Sequence, residues 1–247
     1  MIPDLVFIPP VIAHRGAGQT APENTLAAIS RAHEEGARWV EFDVKITYDG
    51  VPILMHDESL ERTTDGQGLV SEVMWKDVKI CHAGREKGVE SKDEYVPHLT
   101  DALQEVIKCG LSAIIEMKPC PGRAKATTMV AMIEIAKVWP EGEVFPVISS
   151  FDMECLEVAA QLEPPWPRCV LMREWDEDWL TKVEQSKACA ISFYAEHLTA
   201  GRVTELKEAG VSVLAYAVSD IARIKEMLAW GVDAVYACSP RQIIDQL

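Results

Sequence analysis

Eight short apolar runs, each followed by a stretch of helical periodicity, set the rhythm of the chain. Val11–His14, Trp39–Val44, Ser112–Met117, Val144–Ser149, Arg168–Met172, Ala188–Ser192, Ser212–Ala217 and Ala234–Ala237 read as strands. The helical patterns between and after them cover Thr25–Gly36, Thr100–Cys109, Ala124–Val138, Met153–Leu162, Asp176–Gln185, Thr199–Ala209, Ile221–Trp230 and Pro240–Gln246. Strands that alternate with helices pair in parallel, because a parallel neighbour needs a crossover connection. Eight such units in 247 residues predict an α/β fold of the TIM (β/α)8 barrel type, with an open doubly wound sheet as the alternative. No internal repeat or low-complexity linker interrupts the series, so one domain over residues 1–247 is expected.

One connection breaks the rhythm. More than fifty residues lie between Val44 and Thr100, a hairpin-like TYDGVPILMHD followed by a segment rich in glycine and charge. A loop of that length in a compact domain is usually functional or a small subdomain. It reads as an insertion after the second strand, about residues 45–99, and not as a separate domain.

Bulk composition narrows the partners. With 48% hydrophobic residues the chain can bury a sizeable core, and disorder is excluded. A net charge of -15 argues against a nucleic-acid partner and gives no long-range attraction for an anion, so any anion site must be built locally. The seven cysteines are odd in number and form no CxxC pair, which points to reduced thiols and no zinc motif. The N-terminal MIPDLVFIPP lacks a basic leader region, and no run approaches the roughly 20 apolar residues of a membrane span. A soluble cytoplasmic protein without stable membrane insertion is expected; the oligomeric state is not legible.

Chemistry-bearing residues gather at strand ends. His14 closes the first strand, at the end that faces the active site in a barrel, and GAGQTAP lets the chain turn sharply behind it, with Asn24 a candidate helix N-cap. By itself His14 fits equally well as a buried, hydrogen-bonded core residue. In EFDVK, strand alternation turns Glu41 and Asp43 to one side. Two carboxylates on one face of a core strand are costly unless a cation compensates them, and Mg²⁺ or Ca²⁺ prefers such oxygens; arginines could also hold them. IIEMK repeats the device, with Glu116 a third carboxylate and Lys118 an anion contact or an ion-pair partner for Glu116. His56 follows the hairpin, where it could reach over the barrel mouth toward His14; two imidazoles suit general acid–base work near neutrality. Asp57 either orients His56 or caps a turn, the second being the simpler reading. The segment REWDEDW at 173–179 reads as a lid or, more simply, as a helix start with Asp176 at the N-cap. His33, His82, His98 and His197 fall in no pattern and read as structural or surface residues.

Taken together, AHRG, APENT, EFDVKITYDGVPILMHD, RTTDG and IIEMKP resemble the glycerophosphodiester phosphodiesterase family over residues 12–119, with ISSFD at 148–152 and VLAYAVSDIARIKEMLAWGVDAV at 213–235 extending the likeness over most of the chain. VLMREWDEDW resembles the compact cytosolic bacterial members. The resemblance implies a TIM barrel with an insertion after strand two. It implies metal-dependent hydrolysis of small-molecule glycerophosphodiesters to sn-glycerol 3-phosphate and an alcohol. It further implies that Glu41, Asp43 and Glu116 hold one divalent cation, Mg²⁺ or Ca²⁺, that His14 and His56 are the acid–base pair, and that Arg15 and Lys118 contact the phosphate. Glu23 would lie near the metal site.

Two positions depart from the family pattern. A late strand that often reads Trp-Thr-Val-Asn is AYAVS here, which puts Tyr216 on the pocket wall, and the last strand reads ACSP, with Cys238 in place of an aspartate. Neither is expected to touch the metal or the histidines, so both bear on substrate preference. A lyase or phospholipase D acting on lysolipids is the rival enzyme class, and a longer apolar groove would favour it. A binding module that keeps the metal site without the chemistry is the rival outside catalysis; the presence of both histidines argues against it.

Overall fold

The computed structural model describes residues 8–84, 94–162, 166–216 and 218–247. Most of the N-terminal MIPDLVFIPP, residues 85–93 of the insertion and Ala217 at the end of an expected strand lie outside them.

Among the described residues, eight strands pair in parallel: β1 (Val11–Ala13), β2 (Trp39–Ile46), β4 (Ser112–Met117), β5 (Val147–Ser150), β6 (Arg168–Met172), β7 (Ala190–Tyr194), β8 (Ser212–Tyr216) and β9 (Ala234–Ala237). β1 is hydrogen-bonded to β2 on one side, Ile12 opposite Trp39, and to β9 on the other, Ile12 opposite Tyr236. That double pairing closes the sheet, so the fold is the TIM barrel and not the open sheet.

Alternation along each strand sorts the side chains into two layers. Val40, Phe42, Val44, Ala113, Ile115 and Met117 pack outward against the helices. Ile12, Trp39, Ile114 and Val147 fill the barrel interior. Continuing the inward set by two residues along β2, β4 and β5 reaches Glu41, Asp43, Glu116 and Ser149, all buried. The interior is therefore apolar low in the barrel and polar at its C-terminal mouth.

The helices follow from local chemistry. In α3 (Leu99–Lys108), Leu99, Ala102, Leu103 and Val106 are buried, the i, i+3, i+4, i+7 stripe of a helix laid on a sheet. In α1 (Leu26–Glu34) the cap is Thr25, whose hydroxyl accepts the Ala28 N–H at 3.2 Å; the neighbouring Asn24, expected there, is used elsewhere. β5 starts later than Val144 because Val144 and Phe145 are exposed. β7 starts and ends two residues later than the apolar pattern suggests. The helix Trp179–Ser186 has Asp178, not Asp176, at its N-cap position.

Between β2 and α3 lie β3 (Pro52–Leu54) and the short α2 (Trp75–Val78). β3 pairs antiparallel with the far end of β2, Val44 opposite Leu54, which is why β2 runs on to Ile46. The Met55 N–H then bonds the Asp43 carbonyl at 3.1 Å. The β3 pairing and this bond together carry the chain to His56 beside the barrel mouth. Ile53, Met55, Leu60, Val70, Val78 and Val96 bury one another as a small core under the segment.

The turn after β1 depends on Gly16. Its φ is +77°, its N–H bonds the Glu41 carbonyl at 3.1 Å, and a Cβ would lie 2.5 Å from the Ala28 backbone. Only glycine fits there.

Candidate active site

Glu41, Asp43 and Glu116 offer ligand atoms that all lie within 4.8 Å of one another, and all three residues are buried. Each is held by a different device. Asn24, with φ +57°, clamps Asp43 twice: its Nδ2 donates to Oδ2 at 2.8 Å and its Oδ1 accepts the Asp43 N–H at 3.1 Å. Arg15, at φ +54°, turns its backbone N–H onto Glu41 Oε2 at 3.0 Å. Lys118 Nζ sits 2.9 Å from Glu116 Oε1 and 3.2 Å from Asp43 Oδ1. The second contact is a charge contact without hydrogen-bond alignment, so Asp43 Oδ1 is buried and accepts no hydrogen bond. A buried carboxylate oxygen with spare lone pairs, beside two more carboxylates, is the donor set that a hard divalent cation takes. The cluster therefore fits a metal ion.

The three carboxyls cannot all ionise cheaply in the bare protein. Burial, reinforced by the Asp43 charge, pushes Glu116 up to about 7. Burial, then Asp43 and Glu116, holds Glu41 well above the carboxylate range. Asp43 goes the other way: burial opposes its charge, but Lys118 and Arg15 beside it prevail and keep it low.

The two histidines flank this cluster. His14 Nε2 lies 3.8 Å from Glu41 Oε2, and its Nδ1 lies 3.2 Å from Cys238 Sγ. Burial, then the charge of Arg15, lowers the imidazole to about 4. His56 Nδ1 lies 2.6 Å from Asp57 Oδ1. Asp57 is in turn gripped by Arg62, Nε to Oδ2 at 2.6 Å and Nη2 to Oδ1 at 2.9 Å. Arg62 also bonds Glu23, which accepts from Arg15 Nη1 at 2.8 Å. Two expectations are thereby corrected. Asp57 orients His56 and does not merely cap a turn. Cys238 does touch a histidine, because closure of β9 on β1 brings the two strand ends side by side.

These groups open into a cavity of about 490 Å³. His14, Arg15, Glu41, His56, Glu116 and Lys118 line one side; Phe151, Arg173, Glu174, Tyr194, His197 and Tyr216 line the other. Tyr216 is on the wall as expected, its hydroxyl donating to the Met172 carbonyl at 3.0 Å and its ring 5.8 Å from both Phe151 and Tyr194. His197 is a correction: it belongs to the cavity. It follows β7 in a βα loop, and that position after a strand was the usable signal. Arg173 and Glu174 reach the cavity from the loop after β6, ahead of the helix. His98 caps α3 and His82 packs on Tyr95, both structural.

The raised carboxyls predict a trade between stability and cation binding. Glu116 holds its proton above the ordinary value, so the folded state binds more protons than the unfolded one between about pH 4.5 and about 7. Stability falls as pH rises through that window, and the penalty is complete above it. Glu116→Gln should therefore stabilise the cation-free protein at pH 8 by on the order of 1–3 kcal/mol and have little effect at pH 4.5. Urea unfolding with chelator at both pH values checks this; an equal effect at both would contradict it.

The Glycerophosphoryl diester phosphodiesterase family model matches residues 14–237. A glycerophosphodiester phosphodiesterase of Bacillus subtilis (strain 168) is 30% identical over 245 residues, which cover 93% of this chain and 83% of that protein. Glycerophosphodiester phosphodiesterase 1 of Mus musculus is 42% identical over 109 residues, 43% of this chain and 33% of the mouse protein. The match thus spans about a third of the length of that mammalian relative. A solved phosphodiesterase of Oleispira antarctica, in complex with the product sn-glycerol-3-phosphate, superposes with a TM-score of 0.93 at 33% identity over 97% of this chain and 96% of that one. With the barrel closed and the family model matched over residues 14–237, the chain belongs to the glycerophosphoryl diester phosphodiesterase family.

Proposed function

We propose that the protein hydrolyses glycerophosphodiesters to sn-glycerol 3-phosphate and an alcohol, with one divalent cation, Mg²⁺ or Ca²⁺, held by Glu41, Asp43 and Glu116. The observation that carries this reading is the convergence of two imidazoles, two cationic side chains and two carboxylates, Glu41 and Glu116, on one cavity, with Asp43 clustered against those carboxylates. The product in the Oleispira antarctica relative supports a small phosphate-bearing ligand. The chain acts as one unit in this reading, and the segment at about 45–99 belongs to the site because it carries His56. Among the described residues no helix is long and apolar enough to cross a membrane, and no disulfide joins the cysteines. Both fit a cytoplasmic enzyme working on deacylated, water-soluble lipid head groups.

A hard cation held by Glu41, Asp43 and Glu116 would withdraw charge from a phosphoryl oxygen and would bind a glycerol hydroxyl. The rest falls to side chains. Arg15 and Lys118, both half-buried, pair with carboxylates and also line the cavity, where they bind the phosphate and stabilise charge that builds on it. His14, neutral at physiological pH, can accept a proton. His56, backed by Asp57, is oriented to move a proton on the other side of the phosphorus. Tyr216 and its aromatic neighbours form the wall against which the alcohol portion packs.

A glycerophosphodiester carries its own nucleophile, the glycerol 2-hydroxyl. Intramolecular attack is favoured by proximity, with effective molarities that reach about 10⁵–10⁸ M. One histidine takes the hydroxyl proton as its oxygen bonds to phosphorus. The other protonates the alcohol oxygen as the bond from phosphorus to that oxygen breaks. A five-membered cyclic phosphate results, and water opens it with the histidine roles reversed.

His14→Ala and His56→Ala should each lower turnover by about 10²–10⁴-fold with cation binding retained. Because the pair acts as a unit, the double variant should lose less than the product of the two. Wild-type turnover by His56→Ala would remove the insertion from the chemistry. A substrate analogue with hydrogen in place of the 2-hydroxyl should bind and resist cleavage; cleavage at the parent rate would replace the cyclic route with direct attack by water.

A further inference from the structure

The two imidazoles are held at Nδ1 by unlike partners: a carboxylate, Asp57, on His56, and a thiol, Cys238, on His14. The thiol contact is built into the barrel closure. β9 delivers Cys238 directly after Ala237, whose carbonyl accepts the His14 backbone N–H at 3.0 Å. The Cys238 carbonyl accepts the Gln19 N–H at 2.9 Å, and Ser239 Oγ donates to Gln19 Oε1 at 2.7 Å. On its other side the His14 ring stands edge-on to Tyr236, with centroids 6.1 Å apart. The backbone of both residues and the His14 ring are thus held, and Nε2 lies toward Glu41.

We propose that Cys238 is a positioning residue for His14: its Sγ accepts the Nδ1–H, which leaves Nε2 without a proton and facing the carboxylate cluster. The direction of the bond follows from donor strength. An imidazole N–H is a good donor and a thiol S–H a weak one, so the pair gains more when the ring donates. The tautomer of a histidine is set by the bond its other nitrogen makes. A thiol orients the ring as a carboxylate would, without a full negative charge against it. By the same argument His56 carries its proton at Nδ1, toward Asp57, so the two imidazoles differ in the charge of the group behind them and not in tautomer.

This inference rests on the reading of His14 as a proton-transfer group, and the test separates the two. In the full-length protein labelled with ¹⁵N-histidine, long-range proton–nitrogen correlation at neutral pH should show His14 as the Nδ1–H tautomer. The signal is assigned by its loss in His14→Gln. In Cys238→Ala the two tautomers should mix. With a glycerophosphodiester substrate, Cys238→Ala should lower kcat about 10–100-fold, with KM and cation affinity changed less than about twofold. Cys238→Asp, which restores an acceptor, should recover most of that loss. An Nε2–H tautomer in the wild type overturns the proposal. So does Cys238→Ala turning over at the wild-type rate while His14→Ala is inactive, or a Cys238→Ala whose loss lies in KM or cation binding. Full turnover by His14→Ala would sink the acid–base reading itself, and the positioning role with it.

Discussion

Mutual repulsion among three buried carboxylates is the constraint around which the barrel mouth is organised. Glu41, Asp43 and Glu116 project from two adjacent parallel strands, with Asp43 directly opposite Glu116 in the register. No apolar core would tolerate that arrangement, and burial, reinforced by the charge of Asp43, drives Glu41 and Glu116 toward their protonated forms. The surrounding residues answer the cost. Lys118 and Arg15 keep Asp43 charged, Asn24 fixes its rotamer, and the Arg15 N–H caps Glu41. Arg15 and Asn24 both adopt left-handed backbone, which costs about 1–2 kcal/mol for an ordinary side chain. Such strain is retained at sites where position matters more than stability.

The same repulsion explains how an acidic protein can receive an anionic substrate. At a net charge of -15 the surface offers no steering. In the proposed reading the positive charge is supplied at the point of contact, by Arg15, Lys118 and the cation that the carboxylates would hold. Arg62 extends this arrangement outward. Through Glu23 and Asp57 it ties the turn after β1 to the segment after β3, so that His14 and His56 are referenced to one charged network although they come from separate elements.

The barrel was legible from the alternation of eight strand and helix patterns, and the three carboxylates from the two-residue period along their strands; a one-dimensional pattern preserves both. His14 and His56 were legible as motif residues flanking those strands. What was not legible depends on closure or on irregular loops. The contact of Cys238 with His14 joins residues at opposite ends of the chain and exists only because β9 returns to β1. His197, Arg173 and Glu174 sit in βα loops, where no periodicity marks which side chain turns inward. Asn24 resembled a helix cap because asparagine and threonine are both good caps; the adjacent Thr25 takes that role and frees Asn24 for Asp43. Asp57 looked like a turn residue because its partner Arg62 lies on the same loop and its task shows only in three dimensions.

The central claim is that this carboxylate cluster exists to hold a cation on which turnover depends. The direct measurement is release of sn-glycerol 3-phosphate from a glycerophosphodiester by protein stripped with chelator, then titrated with Mg²⁺ or Ca²⁺, with metal content determined at each step. The account predicts negligible turnover in the stripped protein and saturable recovery at one cation per chain. Full turnover by protein that contains no metal would contradict it.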